Sequence, residues 1–199
     1  MTLGILGGAF DPPHVGHVVL AREAIERFRL ERLIALVVAE PAHKPVETPL
    51  EQRLELARAA FAGLPEVEVV ADGHAYTVDF LRASDLPEDT VFVLGADELA
   101  DFLTWREPDE ILRHVRLAVA TRPGYSRAQL DDVLARLERP ERVELFEIPA
   151  VTASSTEVRT RVAAGRPIDD IVPPEVARLV VALGLYHEGV DPRGRAKLR

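Results

Sequence analysis

The stretch GGAFDPPHVGH, residues 7–17, directly follows a short apolar run that ends at Leu6. An apolar run that stops at paired glycines is typical of a buried strand entering a tight turn. Helical spacing of apolar residues then begins at Val15 and continues to Phe28. The stretch therefore predicts a strand, a glycine turn and a helix in succession, and glycine at the turn allows the backbone to come close to a phosphate.

The alternation of strand and helix continues along the chain. Five further apolar runs predict strands, at residues 33–38, 67–71, 90–94, 115–120 and 143–148. Helical spacing and capping residues predict helices at about 48–62, 77–83, 98–103, 108–114, 126–137, 155–164 and 174–183. The strands are largely continuous in apolar character, which is typical of a parallel sheet covered on both faces. The sequence therefore predicts an α/β fold, a doubly wound (Rossmann-like) parallel sheet with helices on both faces and a small helical C-terminal appendage.

Capping residues set the expected ends of several helices. Thr48 to Glu51 and Ser126 to Gln129 both have the spacing of a capping box. Gly165 and Gly184 are expected to terminate the last two helices. We expect one domain over residues 1–187, with a helical C-terminal part at 154–187, and a polar tail at 188–199 that is disordered.

Composition excludes several classes of protein. The chain has 199 residues, a formal net charge of −9 and no cysteine. An acidic protein repels a phosphate backbone, so we expect no binding to nucleic acid. No apolar run approaches the ~20 residues that span a bilayer, and no secretory segment opens the chain. We therefore expect a cytoplasmic protein without membrane contact, and its oligomeric state, a homo-oligomer included, stays open.

Two polar strand ends are expected to meet in this sheet. In the usual strand order the first and fourth strands are neighbours, and ligands bind at their carboxyl ends. Gly7 and Gly8 end the first strand, and Gly95-Ala96-Asp97 ends the fourth. His14 and His17 lie three residues apart on one face of the helix after the glycine turn. Their imidazoles can donate hydrogen bonds to phosphate oxygens and carry positive charge as negative charge develops there.

Residues 7–17 resemble the G-G-x-F-D-P-x-H-x-G-H signature of the nucleotidyltransferase superfamily that carries the H-x-G-H motif. Ser154-Ser155-Thr156-Glu157-Val158-Arg159 is similar to the I-S-S-T-x-I-R segment with which that superfamily binds ATP phosphates. Two positions depart from the pattern: Ala9 replaces a Ser or Thr and so loses a hydroxyl, and Ala153 replaces the Ile. The resemblance implies that His14 and His17 are catalytic, and it assigns ATP binding to Gly7, Gly8, Ala9, Phe10, Gly16, Gly95, Asp97, Ser155, Thr156 and Arg159.

A third group of short motifs resembles the nicotinate-mononucleotide adenylyltransferases within that superfamily. Residues 41–45, PAHKP, are similar to their P-x-H-K loop, and Lys44 is one of only two lysines among 24 basic residues. Further likenesses follow in the family's order: Ala75-Tyr76-Thr77, Leu94 to Asp97, Thr104-Trp105, Arg122 to Tyr125 and Gly184-Leu185-Tyr186. The resemblance implies contacts with the mononucleotide from Lys44, Tyr76, Thr77, Trp105 and Arg122.

The implied reaction is an in-line attack of a mononucleotide phosphate on the α-phosphorus of ATP. Mg²⁺ is expected with ATP, mostly on ATP oxygens and water rather than in a protein cage. No His, Asp and Glu cluster has transition-metal spacing. Backbone amides near Thr77 and Trp105 are expected to favour nicotinate over nicotinamide. The alternatives are an adenylyltransferase for nicotinamide mononucleotide or phosphopantetheine, a cytidylyltransferase, and a nucleotide-binding module without catalysis. His74 is expected to be a loop residue without a role.

Overall fold

The computed structural model describes residues 2–41, 46, 48–122 and 127–187 of the chain. Its six strands are β1 (Leu3–Gly8), β2 (Arg32–Val38), β3 (Val67–Asp72), β4 (Val91–Gly95), β5 (Arg116–Thr121) and β6 (Val143–Glu147). The α-helices in these ranges are α1 (Val15–Phe28), α2 (Leu50–Phe61), α3 (Thr77–Ala83), α4 (Ala96–Ala100), α5 (Pro108–His114), α6 (Arg127–Leu134), α7 (Ser155–Ala163) and α8 (Pro174–Ala182). Short 3₁₀ helices cover Phe102–Thr104 and Pro140–Arg142.

The six strands form one parallel sheet in the order β3-β2-β1-β4-β5-β6. Strand order reverses between β1 and β4, which pair with Gly4 opposite Val91 and Leu6 opposite Val93. This is the predicted doubly wound sheet, and the predicted adjacency of the first and fourth strands is confirmed. The carboxyl ends of these two strands are Gly8 and Gly95.

Helices cover both faces of the sheet, as the apolar strands predict. Along β4, Val91 and Val93 belong to one buried cluster, together with residues of α1, α2, α7 and α8. Phe92 and Leu94 belong to a second cluster, together with residues of α3, α4, α5 and α6. Successive side chains of a strand point to opposite faces, so a strand between two helical layers must be apolar at every position.

Most element boundaries lie within two residues of those predicted, and the exceptions have local causes. The capping box predicted at Thr48 is wrong: Pro49 is the N-cap of α2 and no side chain caps that helix. Thr48 is instead buried, and its carbonyl accepts a hydrogen bond from Nε of Arg53. Helix α4 starts at Ala96, before the predicted residue 98, because the Glu98 carboxylate accepts the N–H of Gly95.

The predicted C-terminal stops of α7 and α8 are confirmed. Gly165 and Gly184 adopt φ values of 65° and 61°, which favour glycine at these positions. Helix α6 ends at Leu134, three residues before its predicted end, and its predicted cap at Ser126 lies outside the described residues. Within the described ranges no helix combines the length and apolar character needed to cross a membrane.

Candidate active site

His14 and His17 occupy the first turn of α1, and backbone hydrogen bonds fix both rings. Nδ1 of His14, the N-cap, accepts the N–H of Gly16 at 3.1 Å, and Nδ1 of His17 accepts the N–H of His14 at 3.1 Å. A backbone N–H can only donate, so neither Nδ1 carries a proton, and in each neutral ring the proton is on Nε2. The ring centroids are 3.9 Å apart. The helix therefore presents two adjacent Nε2–H donors.

Burial keeps His14 neutral. Desolvation, followed by the charge of Arg122, lowers the pKa of His14 to about 4. A protonated ring would also lose the bond from Gly16 to Nδ1. In the unliganded protein at neutral pH, His14 is thus a neutral hydrogen-bond donor, whereas the sequence interpretation also allowed it a positive charge.

The Phe10 side chain is buried and packs against the His17 ring. Its side chain is only 1% exposed, and its ring centroid lies 5.0 Å from that of His17 and 5.7 Å from that of Phe61. A Cβ on Gly8 would come within 3.3 Å of the Phe10 ring, and one on Gly16 within 2.9 Å of the His14 ring. The two glycines therefore allow close packing of these rings, and Phe10 as a whole has almost no surface open to a ligand.

The second motif lies against the first, although the two are more than 140 residues apart in sequence. Ser154 is the N-cap of α7 and its hydroxyl accepts the N–H of Glu157 at 3.1 Å. The hydroxyl of Ser155 donates to the Pro12 carbonyl at 2.8 Å. The guanidinium of Arg159 donates to the Asp11 carbonyl at 2.6 Å and to the Thr156 hydroxyl at 3.3 Å. The structure thus joins the start of α7 to the stretch that precedes His14.

A cavity of about 530 Å³ opens beside this junction, between the ends of β4 and β5 and the start of α7. The carbonyl of Ala153, in its wall, is 3.8 Å from the point that a Cβ on Gly16 would occupy. Arg122, which the resemblance places with the mononucleotide, also lines the cavity, together with Asp97, which it places with ATP. The lining consists of Asp97, Arg122, Thr152, Ala153, Ser154, Glu157 and Arg161.

Tyr76 and Trp105, the aromatic residues assigned to the mononucleotide, pack against the buried cluster that contains residues of α3 to α6. Trp105 follows the 3₁₀ helix Phe102–Thr104, and its ring packs against Phe102 at 5.3 Å between centroids. Tyr76 is the N-cap of α3, and the guanidinium of Arg106 lies 4.9 Å from its ring centroid. The N–H of Trp105 donates to the Phe102 carbonyl at 3.0 Å, so the expectation that this amide selects nicotinate is not supported. Lys44 lies outside the described residues.

Three residues around the first motif were not assigned from the sequence. The Asp11 side chain is buried and accepts the Tyr186 hydroxyl at 2.7 Å. Arg53 is 1% exposed and donates to the carbonyl of Ala9 at 2.9 Å. The sequence does contain a pattern that indicates burial of Arg53. The residue lies on the apolar face of α2, with buried Leu56 and Ala57 at the i+3 and i+4 positions.

His74 lies in a loop, as expected from the sequence, but it has a specific partner there. Its Nδ1 lies 2.7 Å from Oδ1 of Asp72, and its backbone N–H donates to the same oxygen at 2.9 Å. Asp72 is buried at the carboxyl end of β3. The pair therefore stabilises the turn between β3 and α3.

No group of three or more His, Asp and Glu in the described ranges has the geometry of a metal site. A divalent ion that takes most of its ligands from substrate oxygens and water, as Mg²⁺ prefers, needs no such group. The hydroxyls and N–H donors at the junction of the two motifs suit the phosphates that would carry such an ion.

The sequence of this chain matches the family described as Cytidylyltransferase-like over residues 5–161. It is 40% identical over 194 residues to a probable nicotinate-nucleotide adenylyltransferase of Bordetella avium, covering 92% of this chain and 97% of that one. A protein of the same name from Rubrobacter xylanophilus is 36% identical over 197 residues, covering 94% and 92% of the two chains.

The fold is also similar to that of a solved structure. The Plasmodium falciparum nicotinic acid mononucleotide adenylyltransferase complexed with NaAD superposes with a TM-score of 0.76. The match covers 93% of this chain and 97% of that chain at 18% sequence identity, and it supports the fold alone.

Proposed function

The chain belongs to the Cytidylyltransferase-like family and, within it, to the nicotinate-nucleotide adenylyltransferases, and from that premise we propose that it transfers the adenylyl group of ATP to nicotinate mononucleotide. The products are nicotinate adenine dinucleotide and pyrophosphate, a step of NAD biosynthesis. The observation that carries the proposal is the junction of the His14–His17 turn with the start of α7 beside one cavity.

The two histidines stabilise charge on the reacting phosphate. Their Nε2–H groups are held side by side before the substrate arrives, so no reorganisation is needed as negative charge develops. We assign His17 to the α-phosphate and His14 to the adjoining oxygens of the triphosphate. The attacking phosphate has a second pKa of about 6 and is largely dianionic at neutral pH, so the reaction needs no general base.

ATP extends along the junction of the two motifs. Backbone groups of Gly7, Gly8 and Ala9 approach the phosphates, and Ser155, Thr156 and Arg159 hold their outer end. Gly16 and Phe10 act through packing, because the Gly16 N–H already donates to His14 and Phe10 is buried. The nucleoside occupies the cavity, with Gly95 and Asp97 at the ribose. Arg122 lines the same cavity as Asp97, so we assign it to ATP, in place of the mononucleotide contact expected from the resemblance. A divalent ion enters with ATP, and we propose Mg²⁺.

The mononucleotide lies across from ATP. Lys44 holds its phosphate, Trp105 stacks on the pyridine, and Tyr76 and Thr77 line the ring's edge. Arg106 brings a cation to this end, because its guanidinium lies over the Tyr76 ring. A cation there favours the nicotinate carboxylate over the neutral amide. These contacts with the mononucleotide are our assignment.

We also propose one catalytic domain over residues 1–187, with the second motif in its helical part at 154–187. Residues 188–199 form a tail, and the protein is cytoplasmic.

A turnover assay tests the proposal. Purified protein with ATP and Mg²⁺ is given nicotinate mononucleotide, nicotinamide mononucleotide or phosphopantetheine in parallel, and pyrophosphate and the dinucleotide product are measured. We expect the highest kcat/KM with nicotinate mononucleotide. Faster turnover of another acceptor would replace the substrate, and ATP binding without turnover of any acceptor would favour the non-catalytic module.

A further inference from the structure

A buried guanidinium lies beneath the glycine turn of the first motif. Arg53, in the first half of α2, has 1% of its surface exposed. Its Nε donates to the carbonyl of Thr48 at 3.0 Å, and Nη2 donates to that of Ala39 at 2.7 Å. Its Nη1 donates to the carbonyls of Ala9 at 2.9 Å and Val38 at 2.7 Å. Four of the five N–H donors of one side chain thus bind backbone oxygens.

These four carbonyls belong to three separate segments of the chain. Ala9 follows the glycine pair at the end of β1, and Val38 and Ala39 stand at the end of β2. Thr48 precedes α2. In sequence, Ala39 and Thr48 bracket the stretch that contains Lys44. Arg53 therefore connects the turn expected to hold ATP with both sides of the stretch expected to hold the mononucleotide.

Only arginine has the geometry for these contacts. Its planar group directs five donors outward in a fixed fork, whereas lysine directs three donors from one nitrogen. Burying a charged group is costly unless it is hydrogen-bonded, so this arrangement is maintained only if all the carbonyls stay in place. The contacts thus impose one mutual position on the three segments.

We propose that Arg53 is a positioning residue for the transfer reaction: it fixes the turn around Ala9 against the end of β2 and Thr48, and so sets the distance between the α-phosphorus of ATP and the incoming phosphate. The inference rests on the proposed function. An in-line attack requires reacting atoms about 3–3.5 Å apart, and a displacement of 1 Å can cost about 100-fold in rate. Arg53 reaches no reacting atom itself and acts through the carbonyls that it holds.

The experiment compares wild type with Arg53→Lys, which keeps the charge but loses the fork, and with Arg53→Met, which loses both. Arg58→Lys, at an exposed position of the same helix, is the matched control. Hydrogen exchange without substrate is measured at residues 7–10 and at residues 38–41 and 48, together with melting temperature, kcat and both KM values. In Arg53→Lys we expect exchange at least about 10-fold faster in both segments. We expect kcat to fall about 10- to 100-fold and the KM of the mononucleotide to rise.

Other outcomes overturn the inference. If hydrogen exchange in Arg53→Lys is as slow as in wild type, Arg53 does not hold the two segments in position. Faster exchange with unchanged kcat and KM makes Arg53 a structural brace only, and an Arg53→Lys chain that does not fold makes it a requirement of the fold. Failure of the wild type to use nicotinate mononucleotide contradicts the proposed function instead, and the exchange data, which need no substrate, separate the two cases.

Discussion

The phenol of Tyr186 donates a hydrogen bond of 2.7 Å to the carboxylate of Asp11, across 175 positions of sequence. Asp11 is buried and stands three residues before His14, and Tyr186 follows α8. The bond attaches the C-terminal helices to the first motif. Arg159 binds the carbonyl of the same Asp11 from α7. Asp11 is therefore the point at which two C-terminal segments hold the turn before α1.

Tyr186→Phe removes the hydrogen bond and leaves a buried carboxylate oxygen without its donor. We expect the free energy of unfolding to fall by about 2 kcal/mol, as for hydrogen bonds to charged groups. The melting temperature of a chain of this size would then fall by roughly 4–8 °C. Denaturant unfolding at pH 7 measures the change, and a loss near zero would contradict a structural role for this bond.

The contribution of Tyr186 also depends on pH in a definite direction. Burial and the neighbouring Asp11 raise the pKa of Tyr186 above its ordinary value of 10.0. Above about pH 10 the unfolded chain releases the phenol proton while the folded chain retains it, so stability falls as pH rises. The stability difference between wild type and Tyr186→Phe should be constant from pH 7 to 9 and shrink above pH 10. A constant difference up to pH 11 would contradict the raised pKa.

His17→Ala should lower kcat by about 100- to 1000-fold, because it removes an Nε2–H donor aimed at the α-phosphate. The same change removes the acceptor for the N–H of His14, so helix α1 could also lose stability. His17→Gln separates the two effects, since Gln is a normal capping-box partner at this position. We expect it to unfold like wild type and to remain slow. A kcat within a few-fold of wild type in His17→Ala would remove the catalytic assignment.

The local part of this molecule was predictable from its sequence. The glycine turn, the helix that starts at the two histidines and the stops at Gly165 and Gly184 follow from neighbouring residues alone. The adjacency of β1 and β4 followed from a general rule of parallel sheets. The second motif was recognisable as a helix start, and the family resemblance related it to the first.

The contacts between distant segments were not predictable. Thr48 has the spacing of a helix cap, yet burial directs its carbonyl to Arg53 and its side chain to Tyr186. Asp11 is part of the quoted signature, but its partners come from 148 and 175 residues away. The neutral state of His14 depends on the packing around it, which periodicity does not encode.

His14 should titrate far below an ordinary histidine. With a folded pKa of about 4 and an unfolded value of 6.5, neutral His14 contributes stability above pH 6.5 that is lost as pH falls toward 4. An NMR titration of the ring protons, with His14→Gln for assignment, measures the midpoint. Arg122→Gln should raise it only in part, because burial is the larger cause. Arg166→Gln, at an exposed site beyond α7, should leave it unchanged. A midpoint near 6.5 in wild type would contradict the burial.

Arg159→Lys tests the phosphate end of the ATP site. Lysine keeps the charge but cannot both bind the Asp11 carbonyl and reach the Thr156 hydroxyl as the guanidinium does. We expect the KM for ATP to rise about 10-fold, with a much smaller change in the KM of the mononucleotide. Arg166→Lys is the exposed control. Equal increases in both KM values would indicate a general disturbance of the site.

The preference for the acid over the amide should depend on Arg106. Its guanidinium lies 4.9 Å from the Tyr76 ring centroid and donates to the Asp79 carboxylate at 3.1 Å. A half-exposed cation near the pyridine attracts the nicotinate carboxylate only modestly, so Arg106→Gln should reduce the ratio of kcat/KM for nicotinate to nicotinamide mononucleotide by about 3- to 10-fold. The effect should weaken in high salt, because exposed charges are screened. Arg113→Gln, an exposed position of α5, should leave the ratio unchanged. If Arg106→Gln also leaves the ratio unchanged, this side chain does not select the acid.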